Sequence, residues 1–201
     1  LSLCNKNMEK MGRTSTTKHD LLADVCMAAN YEAQSLKTYR EQYDAEYSSG
    51  SGHTTCTMLA RSFADIGDIV RGRDLYFGKR KKKKQNEKET ETERDQLESK
   101  LKDIFKQIHE ELIKDKTNSA LQARYNGDKD NDFFKLREYW WALNRETVWK
   151  ALTCEAYGTY FRATCSDSAD EKGPSVARNQ CRCEGANIVP TYFDYVPQYL
   201  R

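Results

Sequence analysis

The sequence predicts an all-α fold, a disulfide-stabilised helical bundle with long irregular loops. Apolar residues recur at spacings of three and four along four long stretches, which is the pattern of amphipathic helices. Seven cysteines accompany a thin aliphatic core, since Leu, Ile, Val and Phe make up only 34 of the 201 residues. A chain with so little aliphatic bulk gains much from covalent cross-links, each of which contributes roughly 2 to 4 kcal/mol.

The balance of charge favours a folded domain over a disordered chain. The 33 basic and 31 acidic side chains leave a net charge of only +2, and 12 Tyr and 3 Trp add apolar bulk. Low aliphatic content indicates disorder chiefly when the net charge is high. We therefore expect a single globular unit over residues 1–201, with a core that depends on aromatic side chains.

The cysteines indicate an oxidising compartment. Because the chain begins at Leu1 and contains no run of about 18 apolar residues, we expect a soluble segment cut from a longer protein. An odd number of cysteines agrees with such an excision, and Cys4, near the start, is the one expected to be unpaired in this fragment.

Two helices are predicted in the first third of the chain. The first covers residues 17–47 and starts at a capping box formed by Thr17 and Asp20. Its apolar stripe consists of Leu22, Val25, Cys26, Ala29, Ala33, Leu36, Tyr39 and Tyr43. The second covers residues 54–76, with Gly72 near its end. Gly67 inside this helix costs about 1 kcal/mol relative to Ala, which indicates close packing of another backbone there.

The middle of the chain reads as a linker and two more helices. Residues 78–92 contain almost nothing to bury and are predicted to be a charged flexible linker. A third helix follows, with an apolar stripe at Leu97, Leu101, Ile104, Phe105, Ile108 and Leu112. A turn-rich break at residues 125–132 precedes a fourth helix over residues 132–156. On its apolar stripe lie Phe133, Leu136, Trp140, Leu143, Thr147, Val148, Ala151 and Leu152.

The tryptophans of the fourth helix receive separate expectations. Trp140 falls on the stripe and is expected to be buried, whereas Trp141, one step round the helix, is expected to pack against a neighbouring subdomain. Trp149 lies one position off the stripe and is expected at its margin.

The last quarter of the chain is expected to be irregular and then helical. Residues 157–190 hold three cysteines and are predicted to form a disulfide-rich irregular segment. From residue 191 we expect a fifth helix, with Pro190 just before its first turn and Pro197 as a kink or restart.

Several strings of the sequence resemble a known family. They are LCNKNMEKM (3–11), LLADVCMAA (21–29), ARSFADIGDIVRGRDLY (60–76), LREYWWALNRETVWKALTC (136–154), CRC (181–183) and VPTYFDYVPQYLR (189–201). Together they resemble the alpha class of Duffy-binding-like domains, found in the erythrocyte membrane protein adhesins of Plasmodium falciparum. The chain is similar to the central helical subdomain of such a domain.

This resemblance implies an extracellular adhesion module in a membrane protein on the surface of the infected erythrocyte. The implied role is attachment to host cells, in rosetting or cytoadherence, with antigenic variation between copies. The implied partners are host cell-surface receptors or sulfated glycans such as heparan sulfate, neighbouring subdomains of the parent protein, and host antibodies. An alternative is a structural and antigenic scaffold without a receptor site of its own.

The string KRKKKK poses the main functional question. Its cations repel one another and must lie in water or against a polyanion, and they are Lys79, Arg80, Lys81, Lys82, Lys83 and Lys84. Three interpretations stay open: a solvated loop without a partner, a site for sulfated glycans, and a nuclear localisation or nucleic-acid patch, against which disulfides argue. The acidic residues that follow, between 87 and 95, could neutralise these cations, whereas Arg71 and Arg73 could extend the positive surface.

The cysteines favour disulfides over a metal site. Structural zinc sites combine closely paired cysteines, often with His, and the three histidines lie far from the cysteines in the sequence, so no metal is expected. Cys26 and Cys154 lie on the core faces of predicted helices and form the first expected pair. Cys56 with Cys183, and Cys165 with Cys181, complete a set that resembles in part what is expected of the family.

Catalysis is not expected. The histidines have no nucleophile pattern beside them, and neither a glycine-rich phosphate loop nor HExxH occurs. No cofactor and no nucleic-acid partner are expected.

Overall fold

The computed structural model of the chain describes residues 17, 20–46, 55–74, 93–114, 119–128, 132–156, 165, 177, 180–183 and 189–201. Within these ranges lie five α-helices: α1 (Leu21–Glu46), α2 (Thr55–Arg71), α3 (Glu93–Lys114), α4 (Ser119–Tyr125) and α5 (Phe134–Leu152). Two 3₁₀ turns follow, at Phe193–Tyr195 and Gln198–Leu200. The predicted all-α class is confirmed. In the described part of the chain, no helix is long and apolar enough to cross a bilayer.

The core is built around α2, against which α1, α5 and the first 3₁₀ turn pack. Thirteen of its 17 residues are buried, including the charged Asp68 and Arg71. Since burying a charge is costly unless it is paired and hydrogen-bonded, these two side chains require partners from the surrounding elements. The contacts described below supply them.

Helix α1 confirms the first predicted helix. The Thr17 hydroxyl donates to the Asp20 carboxylate at 2.6 Å, just before the first turn. The buried residues of its first half are Leu21, Val25, Ala28, Ala29 and Glu32. Tyr39, which the sequence placed on the apolar stripe, is 58% exposed. The buried face therefore ends near Leu36, which packs partly against the core.

Helix α2 ends five residues earlier than predicted because Gly72 stops it. Gly72 has φ +70°, a left-handed conformation that glycine adopts without steric penalty. Its N–H donates to the Ile69 carbonyl at 3.1 Å, and the Arg73 N–H donates to the Asp68 carbonyl at 2.8 Å. These two bonds form a Schellman motif, which satisfies the last carbonyls of the helix.

Helix α5 is rotated relative to the predicted apolar stripe. Trp141 is fully buried and Trp149 is 1% exposed, so the expectations for both were wrong. Trp140 is only partly buried, and Leu143 is 64% exposed. Hydrogen bonds explain why these two rings are buried, because each indole N–H donates to an acceptor outside the helix. The Trp141 N–H donates to Asp194 Oδ2 at 2.9 Å, and the Trp149 N–H donates to the Cys181 carbonyl at 3.2 Å. The spacing of apolar residues along the helix cannot predict these hydrogen bonds.

The predicted break at residues 125–132 is preceded by a short helix, α4, that the sequence analysis missed. The His109 ring of α3 contacts the Tyr125 carbonyl at the end of α4, with Nε2 at 3.0 Å from the oxygen. The buried Asp128 then starts α5, because its carboxylate accepts hydrogen bonds from the backbone N–H groups of Lys135 and Leu136 at 3.0 and 2.9 Å. The Asp128 carboxylate caps the start of α5. Phe133, at the N-cap position, has no side-chain oxygen with which to accept these bonds.

The expected fifth α-helix is not formed. Pro197 separates two 3₁₀ turns, and Val196 before it is extended, with φ −86° and ψ 131°. The ring of a proline disfavours the α conformation in the residue before it, so the chain restarts instead of continuing as one helix. The C-terminal segment, residues 189–201, lies against α2 and α5 and is held there by side-chain contacts.

Two disulfides connect four of the six described cysteines, with partners exchanged relative to two of the expected pairs. Cys56 bonds to Cys181, and Cys165 bonds to Cys183. The Cys181 backbone is fixed against α5 by the Trp149 indole, and this places Cys181 rather than Cys183 beside α2.

The expected Cys26–Cys154 pair was also wrong, since both thiols are free in the structure. Helix α5 ends at Leu152, so Cys154 lies in an exposed turn and not on the core face of a longer helix. Burial of the partly enclosed Cys26 raises the pKa of its thiol above the usual value.

Candidate functional site

The predicted polyanion site lies mostly outside the described residues. Lys79, Arg80 and the four lysines that follow fall within residues 75–92, and Cys4 also lies outside. The expectation for these cations therefore stays a prediction, as do the proposed linker at residues 78–92 and most of the irregular segment at residues 157–190.

An ion pair joins two residues on either side of the basic segment, the name used here for Lys79 to Lys84. Asp74 precedes the segment and Arg94 lies in the first turn of α3 after it, with Nη2 of Arg94 at 2.6 Å from Oδ2 of Asp74. Their side chains are only 12% and 11% exposed. A partly buried pair is screened much less by salt than an exposed one, so this contact ties the end of the α2 region to the first turn of α3.

Arg71 was wrongly assigned to the binding surface. Its side chain is 1% exposed, and its Nη2 lies 2.9 Å from Oδ1 of Asp68. The same guanidinium donates to the carbonyls of Gly67 and Asp194 and lies 5.3 Å from the centre of the Tyr195 ring. The last turn of α2 is covered by the C-terminal segment, and Arg71 therefore fastens the two together instead of facing solvent.

Arg73 is at the surface as predicted, with a side chain 58% exposed, but it has an acidic neighbour. Its Nε lies 2.5 Å from Oε1 of Glu138 on α5, and the other oxygen of that carboxylate lies 3.6 Å from Arg71. Part of its charge is therefore compensated within the chain.

Asp194 anchors the C-terminal segment to α5. Its buried carboxylate accepts one bond from the Trp141 indole and two from Arg145, at 2.8 and 2.9 Å. Arg145 also donates to the Thr191 carbonyl at 2.8 Å. A planar guanidinium that grips a carboxylate with two bonds fixes both distance and direction. No local pattern in the sequence indicates this contact, since its partners are 49 positions apart.

Arg201 makes a second anchor on α2. It donates to Asp65 at 2.8 Å, to Asp68, and to the Val196 carbonyl at 2.8 Å. Burial raises the pKa of Asp65 to about 6, while the Arg201 charge acts in the opposite direction. Burial also raises the pKa of Asp68. These two carboxyl groups form an acidic cluster that the last residue of the chain partly neutralises.

Beside these anchors lies an open groove of about 430 Å³ between α4, α5 and the first 3₁₀ turn, which we call the tyrosine–arginine groove. It is lined by Arg124, Lys135, Glu138, Tyr139, Ala142 and Tyr195. The Arg124 guanidinium lies over the Tyr139 ring, 5.2 Å from its centre, and Arg145 lies 5.2 Å from the centre of the Tyr195 ring. No single stretch of the sequence predicts this groove, because its walls come from three separate segments.

A second depression, of about 180 Å³, lies between α1, α2 and α5 and is largely apolar. Its lining residues include Lys37 and Glu41 on α1, Leu59 on α2, and Leu152 and Ala156 at the end of α5 and just after it. In the described part of the chain, no group of three or more His, Cys, Asp and Glu side chains is placed to hold a metal ion.

Comparison with known proteins agrees with this architecture. The chain superposes with a TM-score of 0.66 on the crystal structure of the NTS-DBL1(alpha-1) domain of the Plasmodium falciparum membrane protein 1 (PfEMP1) from the varO strain, at 36% sequence identity. The match covers 98% of this chain and 39% of that one, so the chain spans well under half of the crystallised protein. No curated protein matches it.

The model of the Duffy binding domain family matches residues 1–201, the whole length of the sequence. The two findings agree with the framework strings, which run from the first residues to the last. The chain belongs to the Duffy binding domain family, and the NTS-DBL1(alpha-1) domain of P. falciparum membrane protein 1 is one of its structural neighbours.

Proposed function

We propose that the chain is part of an extracellular adhesion module of a malaria variant surface antigen, displayed on the infected erythrocyte and binding host cells without catalysis. The family match over the whole chain carries this proposal. The partners proposed are host receptors or sulfated glycans such as heparan sulfate, with rosetting or cytoadherence as the outcome. The neighbouring subdomains of the parent protein, and host antibodies that recognise its exposed loops, are further partners.

We place the glycan contact on the basic segment, from Lys79 to Lys84. Six adjacent cations offer the charge that a sulfated chain would pair with, and this run of charge supports the proposal. Arg73, six positions before the segment in the sequence, has an exposed side chain and stays a candidate for the positive surface, whereas the buried Arg71 does not.

Heparin affinity tests this placement. Replacing Lys81, Lys82, Lys83 and Lys84 by Ser should lower the salt concentration at which the protein elutes, because each cation that contacts the polyanion releases counterions. The matched control replaces four lysines on the helices: Lys37, Lys100, Lys106 and Lys114. It has the same net charge and should elute later than the segment variant. Equal elution of the two variants would show a nonspecific charge effect and contradict the placement.

One observation supports the alternative function, a structural and antigenic scaffold without a receptor site of its own. Glu138 compensates the charge of Arg73, and the acidic residues after the basic segment could do the same for the lysines. Replacing Glu87, Glu89 and Glu91 by Gln distinguishes the two functions. Stronger heparin retention would show that these residues restrain a real site, and unchanged weak retention would favour the scaffold.

A further inference from the structure

The turn after α4 contains the one asparagine of the sequence that is followed by glycine. Asn126 and Gly127 come directly after Tyr125, the last residue of α4. The Asn126 side chain is exposed, and Gly127 has φ +79°, a left-handed conformation that glycine adopts without steric penalty. Among the described residues, no atom would lie within 4 Å of a Cβ at residue 127. Asn126 therefore has access to water and an unhindered neighbour.

An asparagine and a glycine in this order can react with each other in water. The backbone nitrogen of Gly127, once it has lost its proton, attacks Cγ of Asn126, and the new C–N bond closes a succinimide ring. The side-chain amide nitrogen leaves with that proton as ammonia. Water then opens the ring at one of its two carbonyls. Opening at the side-chain carbonyl gives aspartate, and opening at the main-chain carbonyl gives isoaspartate, in which the backbone runs through the former side chain.

Both ends of this turn are fixed to the core. The carbonyl of the buried Tyr125 lies 3.0 Å from Nε2 of His109 on α3. The buried Asp128 accepts hydrogen bonds from backbone N–H groups at the start of α5. Only Asn126 and Gly127 connect these two anchors. Isoaspartate adds one carbon atom to the backbone, so the turn can hold it only by shifting one of the anchors.

The added length should matter more than the added charge. Either product carries a carboxylate where Asn126 had a neutral amide. This carboxylate lies on an exposed residue, and exposed charges contribute little to stability. A displaced Asp128, in contrast, would leave the first N–H groups of α5 without their capping acceptor. The damage is therefore expected from isoaspartate and not from aspartate.

We propose that Asn126 and Gly127 form a spontaneous deamidation site, whose isoaspartate product weakens the capping of α5 by Asp128. Water is the only co-reactant, and no enzyme takes part. The site would make the protein age, because older molecules would carry a weaker connection between α4 and α5. The inference is independent of the proposed adhesive function.

Incubation of the full 201-residue chain at mildly alkaline pH and body temperature tests the site, because the attacking nitrogen must lose its proton. Peptide mass spectrometry should show conversion of Asn126, with isoaspartate identified by isoaspartyl methyltransferase, which does not methylate aspartate. Asn30 and Asn144 are the internal controls and should remain amides, since their side chains are hydrogen-bonded within α1 and α5.

A free peptide of residues 122–130 supplies the reference rate. An exposed turn opens at little cost in free energy, so Asn126 should convert no more than about tenfold more slowly in the folded chain than in the peptide. In the aged protein, hydrogen exchange should become faster at the N–H groups of Lys135 and Leu136, which Asp128 caps.

Two variants separate the added atom from the added charge. Asn126→Asp carries the charge on a backbone of normal length and should unfold at nearly the same urea concentration as fresh protein, whereas the aged protein should unfold at a lower one. Asn126→Gln keeps an exposed amide whose longer side chain closes a ring far more slowly. Its stability should not change during the same incubation.

Three results would overturn the inference. The first is an Asn126 that stays an amide while the peptide converts, and the second is conversion of Asn30 or Asn144 at the same rate. The third is aged, isoaspartate-containing protein that matches Asn126→Asp both in urea unfolding and in hydrogen exchange at the start of α5. None of these results bears on heparin retention, so the proposed function stands or fails separately.

Discussion

The indole ring of Trp141 on α5 lies directly against Gly67 on α2. A Cβ at residue 67 would be 2.8 Å from Cζ2 of the ring and 2.9 Å from Cε2, closer than such atoms approach in real structures. The same ring is 5.1 Å from the centre of Phe63, and its N–H bonds to Asp194. The missing side chain of Gly67 therefore allows α2 and α5 to come together and brings the indole within reach of the C-terminal segment.

Replacing Gly67 by Ala should destabilise the protein despite the better helix propensity of Ala. The propensity gain is about 1 kcal/mol, whereas overpacking a rigid, buried ring costs typically 1 to 3 kcal/mol. We expect a net loss of up to about 2 kcal/mol in urea unfolding. In a double-mutant cycle with Trp141→Phe, the smaller ring should recover part of that loss. Additive effects of the two substitutions would show that the ring does not set the cost.

Gly67 also shows where sequence reasoning succeeds and where it stops. Helical periodicity located the helix, and the glycine indicated a close approach, but the approaching group is a side chain 74 positions away and not another backbone. Trp140 and Trp141 are adjacent, so a stripe drawn from apolar spacing alone can select either. Trp141 is the buried one of the two because its indole N–H donates to Asp194, a residue distant in sequence.

Arg137 on α5 connects three helices, and its replacement should be among the most destabilising. The fully buried guanidinium donates to the Val70 carbonyl at the end of α2 at 2.7 Å and makes two bonds to Glu98 on α3, at 2.7 and 2.9 Å. Breaking a buried pair by removing one partner costs about 3 to 5 kcal/mol. We expect a loss of that order for Arg137→Met in chemical denaturation.

Two variants control for Arg137→Met. Lys106→Met removes an exposed cation and should change stability by less than about 0.5 kcal/mol. Arg137→Lys keeps the charge but not the planar fork, so it should recover only part of the loss. Full recovery by Lys would mean that charge, and not the geometry of the guanidinium, carries the contact.

The two disulfides should differ in their contribution to stability. Cys56–Cys181 closes a separation of 125 residues and Cys165–Cys183 closes one of 18. The loop-entropy relation gives about 5 and about 3 kcal/mol for these separations. Replacing both cysteines of the longer bridge by Ala should therefore lower the unfolding midpoint further than the same change in the shorter bridge.

Peptide mapping of the unreduced protein checks the partners themselves. It should recover linked peptides that join residue 56 to 181 and residue 165 to 183, and alkylation should label Cys26 and Cys154. A linked peptide that contains Cys26 and Cys154 would restore the pair that the sequence analysis expected. The sequence correctly indicated four bridging cysteines and wrongly added Cys26 and Cys154. It could not choose between Cys181 and Cys183, which are only two positions apart.

Only the part of the candidate site that lies in one continuous stretch of sequence could be predicted from the sequence. A run of like charge is visible in one string, so the segment from Lys79 to Lys84 is found by inspection. Whether a nearby cation joins it depends on the end of a helix. Gly72 stops α2 and leaves Arg73 outside, while Arg71, two positions earlier, turns under the C-terminal segment. Tyr139 and Tyr195 come together only through that same segment.

The acidic cluster under Arg201 should give the protein an unusual pH dependence. Burial raises the pKa of Asp65 from 3.8 to about 6, so between about pH 4 and pH 6 the folded state holds a proton that the unfolded state has released. The contribution of Asp65 to stability is therefore largest at acidic pH and is lost as the pH rises through 6. Burial shifts the pKa of Asp68 and Glu32 in the same direction.

The Asp65→Asn variant isolates this effect, because Asn does not titrate. The variant loses the ion pair with Arg201, which lowers its stability, but it also loses a carboxylate whose ionised form burial disfavours. Its stability should nevertheless fall less than that of the unchanged protein as the pH rises from 5 to 7, measured by urea unfolding at each pH. Parallel curves for the two proteins would mean that Arg201 offsets the burial completely and that Asp65 is ionised in the folded state throughout this range. If the free energy of unfolding of the variant fell more steeply with pH than that of the unchanged protein, the pKa of Asp65 would be lowered by folding and not raised.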